Sequence, residues 1–458
     1  MLFPLPFTAF ESYMLEDDSP ESPMSFYLRL SFWGTLDRRA FIRAVHQATL
    51  RHPLFKATLE NIKGRPTWVA TEKPVSIFWD EPEAQETAAS KFIDLTCDVG
   101  LRVFVKHTEG QARVLLQFHH CCTDGIGATR FIEDLMAIYT SEQSEDSERP
   151  RLAPLKLAKL AHRGRLGLGL FGRLLRMPID VLGLVGIAQF FGHRPSPLQT
   201  SRPPALQTNE SNTPDFVSRR LTEEHLTALK AAAKRDGVTV NDLLIRDLLL
   251  TIDAWNARHN PQAQGTCTRI SVPVNLRRPE DNCLPATNVV SMVFVDRRVT
   301  QQTNVQRLLK TIRIDTWFVK RLRMGVIMIW LLEAMQQVRG GFAWLLNYRD
   351  CMATAVLSNL GVQFNDLPLA YLGDRVIVGD SLLESIDFLP PIRRGTHASL
   401  GVVTYAGELM VSLQYDSQML DKVSADDVLR LFEEQLLATA GLERTSDPAT
   451  VSRMVAAA

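Results

Sequence analysis

The sequence has no net charge, no cysteine pair spaced as C-x-x-C and no apolar run long enough to cross a bilayer, and each absence removes a class of protein. Its 51 lysines and arginines are matched by 51 aspartates and glutamates, so a nucleic-acid binder is not expected. Six cysteines (Cys97, Cys121, Cys122, Cys267, Cys283, Cys351) lack the density of a disulfide framework, which predicts free thiols in a reducing compartment. The run Val181 to Phe191 falls well short of the about 20 apolar residues that a membrane-spanning helix needs. The amino terminus, MLFPLPFTAFESYMLEDDSPESP, has no basic stretch, carries prolines among its apolar residues and soon turns acidic. That is no secretory signal, and cytoplasmic residence is the expectation.

What is present describes a folded chain of ordinary composition, 45% hydrophobic and 22% charged over 458 residues. That length exceeds one comfortable hydrophobic core and predicts two lobes of roughly 200 residues. In residues 1–145, period-2 patterns (MSFYLRLSFWG, LRVFVKHTEGQARVLLQFHH) alternate with helical ones (LDRRAFIRAVHQATLRHPLF, GATRFIEDLMAIYTSE), the signature of a mixed α/β lobe. The polar run SEQSEDSERP starts a linker or insertion, residues 146–205. Within it, residues 151–202 hold nine Arg or Lys and one acid, Asp180, among leucines, glycines and phenylalanines.

A second mixed α/β lobe, residues 206–458, follows. Helices are expected at LTEEHLTALKAAAKRDG, whose glycine fits a C-terminal stop, and at TVNDLLIRDLLLTIDAWNARHN. TRISVPVNLRRP and VVSMVFVDRRV read as strands, HASLGVVTYAGELMVSLQYD as a hairpin turning at Ala406-Gly407, and SADDVLRLFEEQLLATAG as a closing helix. No repeat of short fixed period is found.

The densest chemistry lies in QFHHCCTDGIG, residues 117–127. A metal site is one reading, but successive strand residues point to opposite faces, and zinc ligands are generally separated by two to four residues for that reason. A cysteine nucleophile at Cys121 or Cys122 needs a histidine within reach and an electropositive setting; small thiols at a strand end are more often packing residues. A histidine general base is the third reading, with Asp124 and Gly125 fixing the loop, glycine allowing a turn that a Cβ would obstruct. The fourth is a pair of satisfied histidines with no chemical role.

His119-His120-x-x-x-Asp124-Gly125 is HHxxxDG, and with it the chain resembles the chloramphenicol-acetyltransferase-like superfamily: nonribosomal condensation domains, wax ester synthases and diacylglycerol acyltransferases, and polyketide-associated acyltransferases. GTLDRRAFIRAVHQATLRHPLFKATL is similar to the family's first helix, and VTVNDLLI, SVPVNLRRP, ATNVVSMVF (as the lobe-crossing strand) and SNLGVQF follow in the family's order. The resemblance covers nearly the whole chain except 146–205. It implies an α/β fold of mixed sheets, two lobes forming a pseudo-dimer with an active-site tunnel between them.

The resemblance makes His120 the base that deprotonates an acceptor hydroxyl or amine for attack on a thioester, with no covalent enzyme intermediate. Asp124 becomes structural, pairing with Arg277, with Arg278 as the adjacent alternative, and Gly125 keeps the channel floor open. His119 and His397 are structural, and oxyanion or substrate contacts fall to Ser358, Asn359 and Asn288. No metal and no bound cofactor is implied; acyl-coenzyme A or a phosphopantetheinyl acyl carrier protein is co-substrate. Where wax ester synthases carry a proline-leucine-tryptophan segment, this chain reads CDVGLRVFV, which departs from that branch.

The expected function is O-acyl transfer to a hydroxyl acceptor of lipidic character, in lipid or secondary metabolism. The alternatives are a stand-alone condensation-type N-acyltransferase and an inert acyltransferase-like binding domain. Residues 151–202 have three readings: an interfacial helix pair on the inner membrane face, a dock for an acidic carrier protein or coenzyme A phosphates, or a solvated linker. The block Met324 to Leu332 reads as a buried helix whose methionines suit an acyl tunnel.

Overall fold

The computed structural model describes residues 2–80, 92–143, 150–165, 181, 183–200, 214–263, 265–300 and 302–442. The first-half strands are β1 (Leu5–Pro6), β2 (Ser25–Trp33), β3 (Ala57–Ile62), β4 (Arg65–Ala70), β5 (Ser76–Trp79), β6 (Leu101–Thr108) and β7 (Gln111–His119). The second half adds β8 (Phe216–Leu221), β9 (Cys267–Asn275), β10 (Val290–Arg298), β11 (Ala355–Val362), β12 (Tyr371–Leu372), β13 (Arg375–Val378), β14 (Ser381–Leu389), β15 (Ala398–Tyr405) and β16 (Glu408–Tyr415). Around them run α1 (Ala9–Asp17), α2 (Arg38–Arg51), α3 (Gly125–Gln143), α4 (Glu223–Asp236), α5 (Val240–His259), α6 (Val305–Arg321), α7 (Gly325–Gln336), α8 (Gly341–Leu346) and α9 (Lys422–Ala440).

Local chemistry accounts for the element ends. Thr222 and Thr239 cap α4 and α5 through their hydroxyls, and Gly237, with φ of 63°, closes α4 in the left-handed conformation that glycine adopts without strain. Ala406 and Gly407 both have positive φ, 47° and 75°, as a two-residue hairpin turn requires.

Two large mixed sheets organise the molecule. The first has the order β12-β13-β14-β2-β7-β6-β5 and the second β10-β9-β11-β15-β16-β8, with a small sheet β1-β4-β3 beside them. Residues 371–389 lie within 206–458, yet their strands extend the first sheet, β14 pairing antiparallel with β2 from Leu382↔Trp33 to Leu389↔Tyr27. The crossing therefore falls there and not at ATNVVSMVF, because β10 is an edge strand of the second sheet, paired with β9.

The crossing strand is clamped on both sides. Asp387 of β14 holds Arg29 of β2 at 2.6 Å and accepts from Ser412 of β16 at 3.1 Å, so one buried carboxylate joins both sheets. A Cβ built on Gly401 of β15 would come within 1.9 Å of the Phe388 carbonyl oxygen; only glycine lets the sheets approach this closely.

One arginine of the basic segment is turned inward, while Arg151, Lys156, Arg165 and Arg194 are exposed. Residues Leu157–Arg165 form a 3-10 helix, and Arg163, expected as a surface charge, is buried against Glu11, with bonds of 2.7 Å to Oε1 and 2.6 Å to Oε2. Arg163 Nη2 also donates to Pro6 O at 2.9 Å. An arginine pulled from water needs a carboxylate and further acceptors, and α1 supplies them. Residues 183–192 are helical, whereas Arg173, Arg176 and Arg202 lie outside the described residues. No described helix is long and apolar enough to cross a membrane.

Candidate active site

β7 ends at His119, and the chain turns through residues 120–124 into α3. Asp124 starts that helix: its Oδ1 accepts from the Gly127 amide at 2.8 Å, in the manner of an N-cap. Its Oδ2 accepts from Arg277 Nη1 at 2.7 Å and from the Val289 amide at 2.8 Å. Arg277 Nη2 donates to Thr287 O at 2.7 Å. Arg278 faces Glu280 and Asp281 instead, so the choice between the two arginines falls on Arg277.

The stretch Ala286 to Val289 is the rail along which the halves meet. The Ala286 amide donates to His52 Nδ1 at 2.8 Å, and His52 Nε2 lies 3.0 Å from Asp134. Since Nδ1 accepts, the His52 proton sits on Nε2 and points to Asp134. Asn288 Nδ2 donates to the His120 carbonyl at 2.7 Å and contacts Met14 sulfur at 3.3 Å. The Asn288 amide is thus engaged within the protein, beside the His120 ring, with Nδ2 3.4 Å from Nδ1.

His119 is fully buried. The Cys121 amide donates to its Nδ1 at 3.2 Å, which leaves the proton on Nε2 to meet Asp18 at 3.1 Å. Asp18 in turn accepts from the Met24 amide at 2.7 Å, and Met24 O accepts from the His120 amide at 2.8 Å. The first motif histidine thus ties the loop before β2 to the turn that carries the second.

His120 lines a cavity of about 260 Å³ between the two sheets, together with Asp124, Gly125, Ser358 and Asn359. Burial pushes its imidazole down to about 4, against opposing pulls from a hydrogen bond to its own backbone carbonyl and from the Asp124 carboxylate. The ring is therefore neutral at pH 7. Gly125 is not there for an unusual backbone: it begins α3, and a Cβ would meet Leu360 Cδ2 at 2.5 Å. Asn359 Nδ2 donates to Asn241 at 3.3 Å and its Oδ1 accepts from the Gly361 amide at 2.8 Å, while buried Ser358 lies one residue before it on β11. His397 is away from the cavity, its Nδ1 3.1 Å from Leu198 O.

Burial raises the thiols of Cys121 and Cys122 well above their ordinary range, and Cys121 Sγ points to Glu11 O at 3.4 Å. A thiol held protonated in an apolar setting is a poor nucleophile. All six cysteines are free. Among the described residues one group of metal-ligating side chains assembles, His193, Cys267 and Asp296. Both oxygens of Asp296 already accept from Arg269, at 2.7 Å each, which sets a guanidinium where a second cation would have to bind.

Two contributors escaped the motif reading. Helix α1 brings Tyr13, Met14 and Asp17 to the cavity wall, and Arg393 reaches across from the loop after β14 to Asp17 at 2.6 Å and Tyr13 at 2.6 Å. The signal for α1 was in the sequence: Thr8-x-x-Glu11 is a capping box, and both of its reciprocal bonds form. No local pattern marks Arg393, whose partners are nearly the whole chain away.

The family model of the condensation domain matches residues 13–156, and that of the wax ester synthase/diacylglycerol acyltransferase catalytic domain matches residues 107–244. An uncharacterized protein of Mycobacterium tuberculosis strain H37Rv is 25% identical over 94% of this chain and 98% of its own length. Among solved structures, polyketide synthase associated protein 5 from Mycobacterium tuberculosis has a TM-score of 0.63 at 16% identity, covering 95% of this chain and 98% of that one. The first condensation domain of the calcium-dependent antibiotic synthetase, in complex with a substrate analogue, has a TM-score of 0.66 at 15% identity, covering 96% of each. The starter condensation domain of rhizomide synthetase, in complex with C8-CoA, reaches 0.65 at 13% identity, covering 96% and 95%. The two family models together match residues 13–244, and the fold is shared with condensation domains over nearly the whole length of the chain.

Proposed function

We propose that the protein is an acyltransferase that moves an acyl group from a thioester to a hydroxyl acceptor, with His120 as general base. The observation that carries this is a half-buried, neutral imidazole on the wall of the inter-sheet cavity. Such a base carries its proton on Nδ1, turned to the residue's own carbonyl, and keeps a lone pair on Nε2 for the acceptor. Asn288 strengthens the arrangement by donating to the same carbonyl.

Nε2 takes the acceptor's proton as its oxygen attacks the thioester carbonyl. The tetrahedral intermediate then collapses, the C–S bond breaks, and the departing sulfur takes the proton back from the imidazolium. One group serves as base and then acid. Ser358 is the donor for the developing oxyanion, a contribution of about 2.7–4 kcal/mol where such donors have been removed. The donor is a thioester of coenzyme A or of a phosphopantetheinyl carrier; a structural relative holding C8-CoA supports the first.

The test is thiol release from short- to long-chain acyl-coenzyme A, with and without a long-chain alcohol, in wild type and His120→Ala. Alcohol-dependent release that disappears in the variant is the expected result. Equal release in the variant overturns the role of His120, and release that depends on amines alone redirects the reading to amide formation.

A further inference from the structure

The cavity that holds His120 carries a second polar group of side chains, which the acyl transfer itself does not use. Tyr13 and Asp17 stand one turn apart on α1, Arg393 of the loop after β14 meets both, and all three line the cavity. The arginine is fixed from its own side too. Gly395 turns that loop with φ of 71°, the Thr396 amide donates to Arg393 O at 2.9 Å, and a Cβ on Gly395 would fall 1.7 Å from Asp350 O.

Most of the arginine's five N–H donors are spent within the protein, but not all. Nε donates to Asp17 Oδ2 at 2.6 Å and Nη2 to the Tyr13 hydroxyl at 2.6 Å, with Asp17 Oδ2 also 2.5 Å from Nη2. Nη1 is left with Met292 sulfur at 3.5 Å, a weak acceptor for one of its two hydrogens. The Tyr13 hydroxyl accepts from Arg393, and among the described residues no group accepts its own proton. Burial pushes the phenol up from its ordinary value, so that proton stays on the oxygen at pH 7. Nη1 and Nη2 share one carbon, which sets the two unspent donors side by side.

The wall around them is apolar, formed by Phe10, Met14, Met292, Phe294 and Met352. A donor left unpaired in such a setting is costly, and the same low dielectric strengthens a hydrogen bond made there. Asp17 matches the arginine's charge, so the pair offers hydrogens without net charge and suits a hydroxyl or keto oxygen better than a carboxylate. Arg393 is near enough to His120 for its charge to add to the downward push on the imidazole. The donors therefore belong to the reacting end of the cavity.

We infer that the Tyr13 hydroxyl and Arg393 Nη1 together bind an uncharged oxygen of a substrate, a hydroxyl or keto group close to the reacting carbonyl and distinct from it. Calling the ligand a substrate rests on the proposed acyl transfer; the presence of an oxygen site does not. The oxygen belongs to the acyl donor or to the acceptor, and the ligands below distinguish them.

The experiment measures equilibrium binding to the full chain in the His120→Ala background, where turnover does not intervene. The donor series is hexadecanoyl-coenzyme A with its 2-hydroxy, 3-hydroxy and 3-oxo forms, and the acceptor series is hexadecanol with 1,2-hexadecanediol and 1,3-hexadecanediol. In one series an oxygenated ligand is expected to bind about tenfold or more tightly than its plain counterpart, the scale of a hydrogen bond to a charged group. That ratio is expected to fall below about threefold in Tyr13→Phe, which removes only the hydroxyl, and in Arg393→Lys, which keeps a charge against Asp17 but loses Nη1. Because the ratio is taken within each variant, a general loss of folding does not mimic it. No preference for any oxygenated ligand, or a ratio that survives either substitution, overturns the inference. Oxygen-selective binding in a protein that transfers no acyl group to any acceptor would overturn the proposed reaction and leave the oxygen site standing.

Discussion

Asp124 and Arg277 stand 153 residues apart and meet at 2.7 Å, the carboxylate buried and the guanidinium largely so. The carboxylate also caps α3 and receives the Val289 amide, so one side chain fixes the His120 turn, the start of a helix and the rail from the second half. Removing one partner of a buried pair typically costs about 3–5 kcal/mol. Arg277→Ala is therefore expected to lower the melting temperature markedly, and Asp124→Asn to lower melting temperature and rate together. A pure rate loss in Asp124→Asn with unchanged melting would refute this structural role.

Replacing His120 by Ala is expected to cut turnover by about 100-fold or more, the scale for losing a general base. Because burial holds the imidazole at about 4, the acid limb of kcat/KM should fall there and not near the ordinary value of about 6.5. The same shift affects stability. An unfolded chain protonates this histidine below about 6.5 while the folded one does not. The contribution is therefore present above that value and is lost as pH falls toward 4. His52 is pushed down by burial too, so acid sensitivity should be reduced in His120→Ala but not abolished. An acid limb near 6.5, read from initial rates, would contradict this picture.

Cys121→Ala and Cys122→Ala should each keep most of the activity, since burial disfavours the thiolate of both. Loss of turnover in either variant with folding intact would revive a thiol nucleophile.

The Glu11–Arg163 pair should behave as core. Arg163→Ala strands a carboxylate that is fully buried, with an expected cost of about 3–5 kcal/mol seen in urea or thermal unfolding. Liposome co-sedimentation should not follow Arg163, because its guanidinium is turned inward. Weakened vesicle binding at unchanged stability would restore it as a surface charge.

Substituting Gly125 by Ala pushes Leu360 Cδ2 from its present place, 2.5 Å from the new Cβ. The far end of a flexible side chain can shift, so stability should change little while turnover falls, because Leu360 borders the His120 pocket. Wild-type kinetics in this variant would show that Leu360 has room to spare.

Much of the fold was legible because it is set locally. The β2 and β6–β7 strands, α2, α4, α5 and the Ala406-Gly407 hairpin follow from apolar periodicity, capping residues and turn chemistry, which act within a few residues. Helix α1 was equally legible from Thr8 and Glu11 but is masked by the prolines before it. The swap of β12–β14 into the first sheet was not, since nothing in SLLESIDFL names its partner strand.

By itself the sequence determined the HHxxxDG turn, the two mixed α/β halves and the residue types available for chemistry. Only the tertiary structure decided which of them have free polar atoms. Asn288, legible as an oxyanion donor, spends its amide on the His120 carbonyl, and Arg163, legible as a surface cation, is consumed by Glu11. The reason is physical: a hydrogen bond or ion pair forms between groups that packing brings within about 3 Å, and chain separation carries no information about that distance.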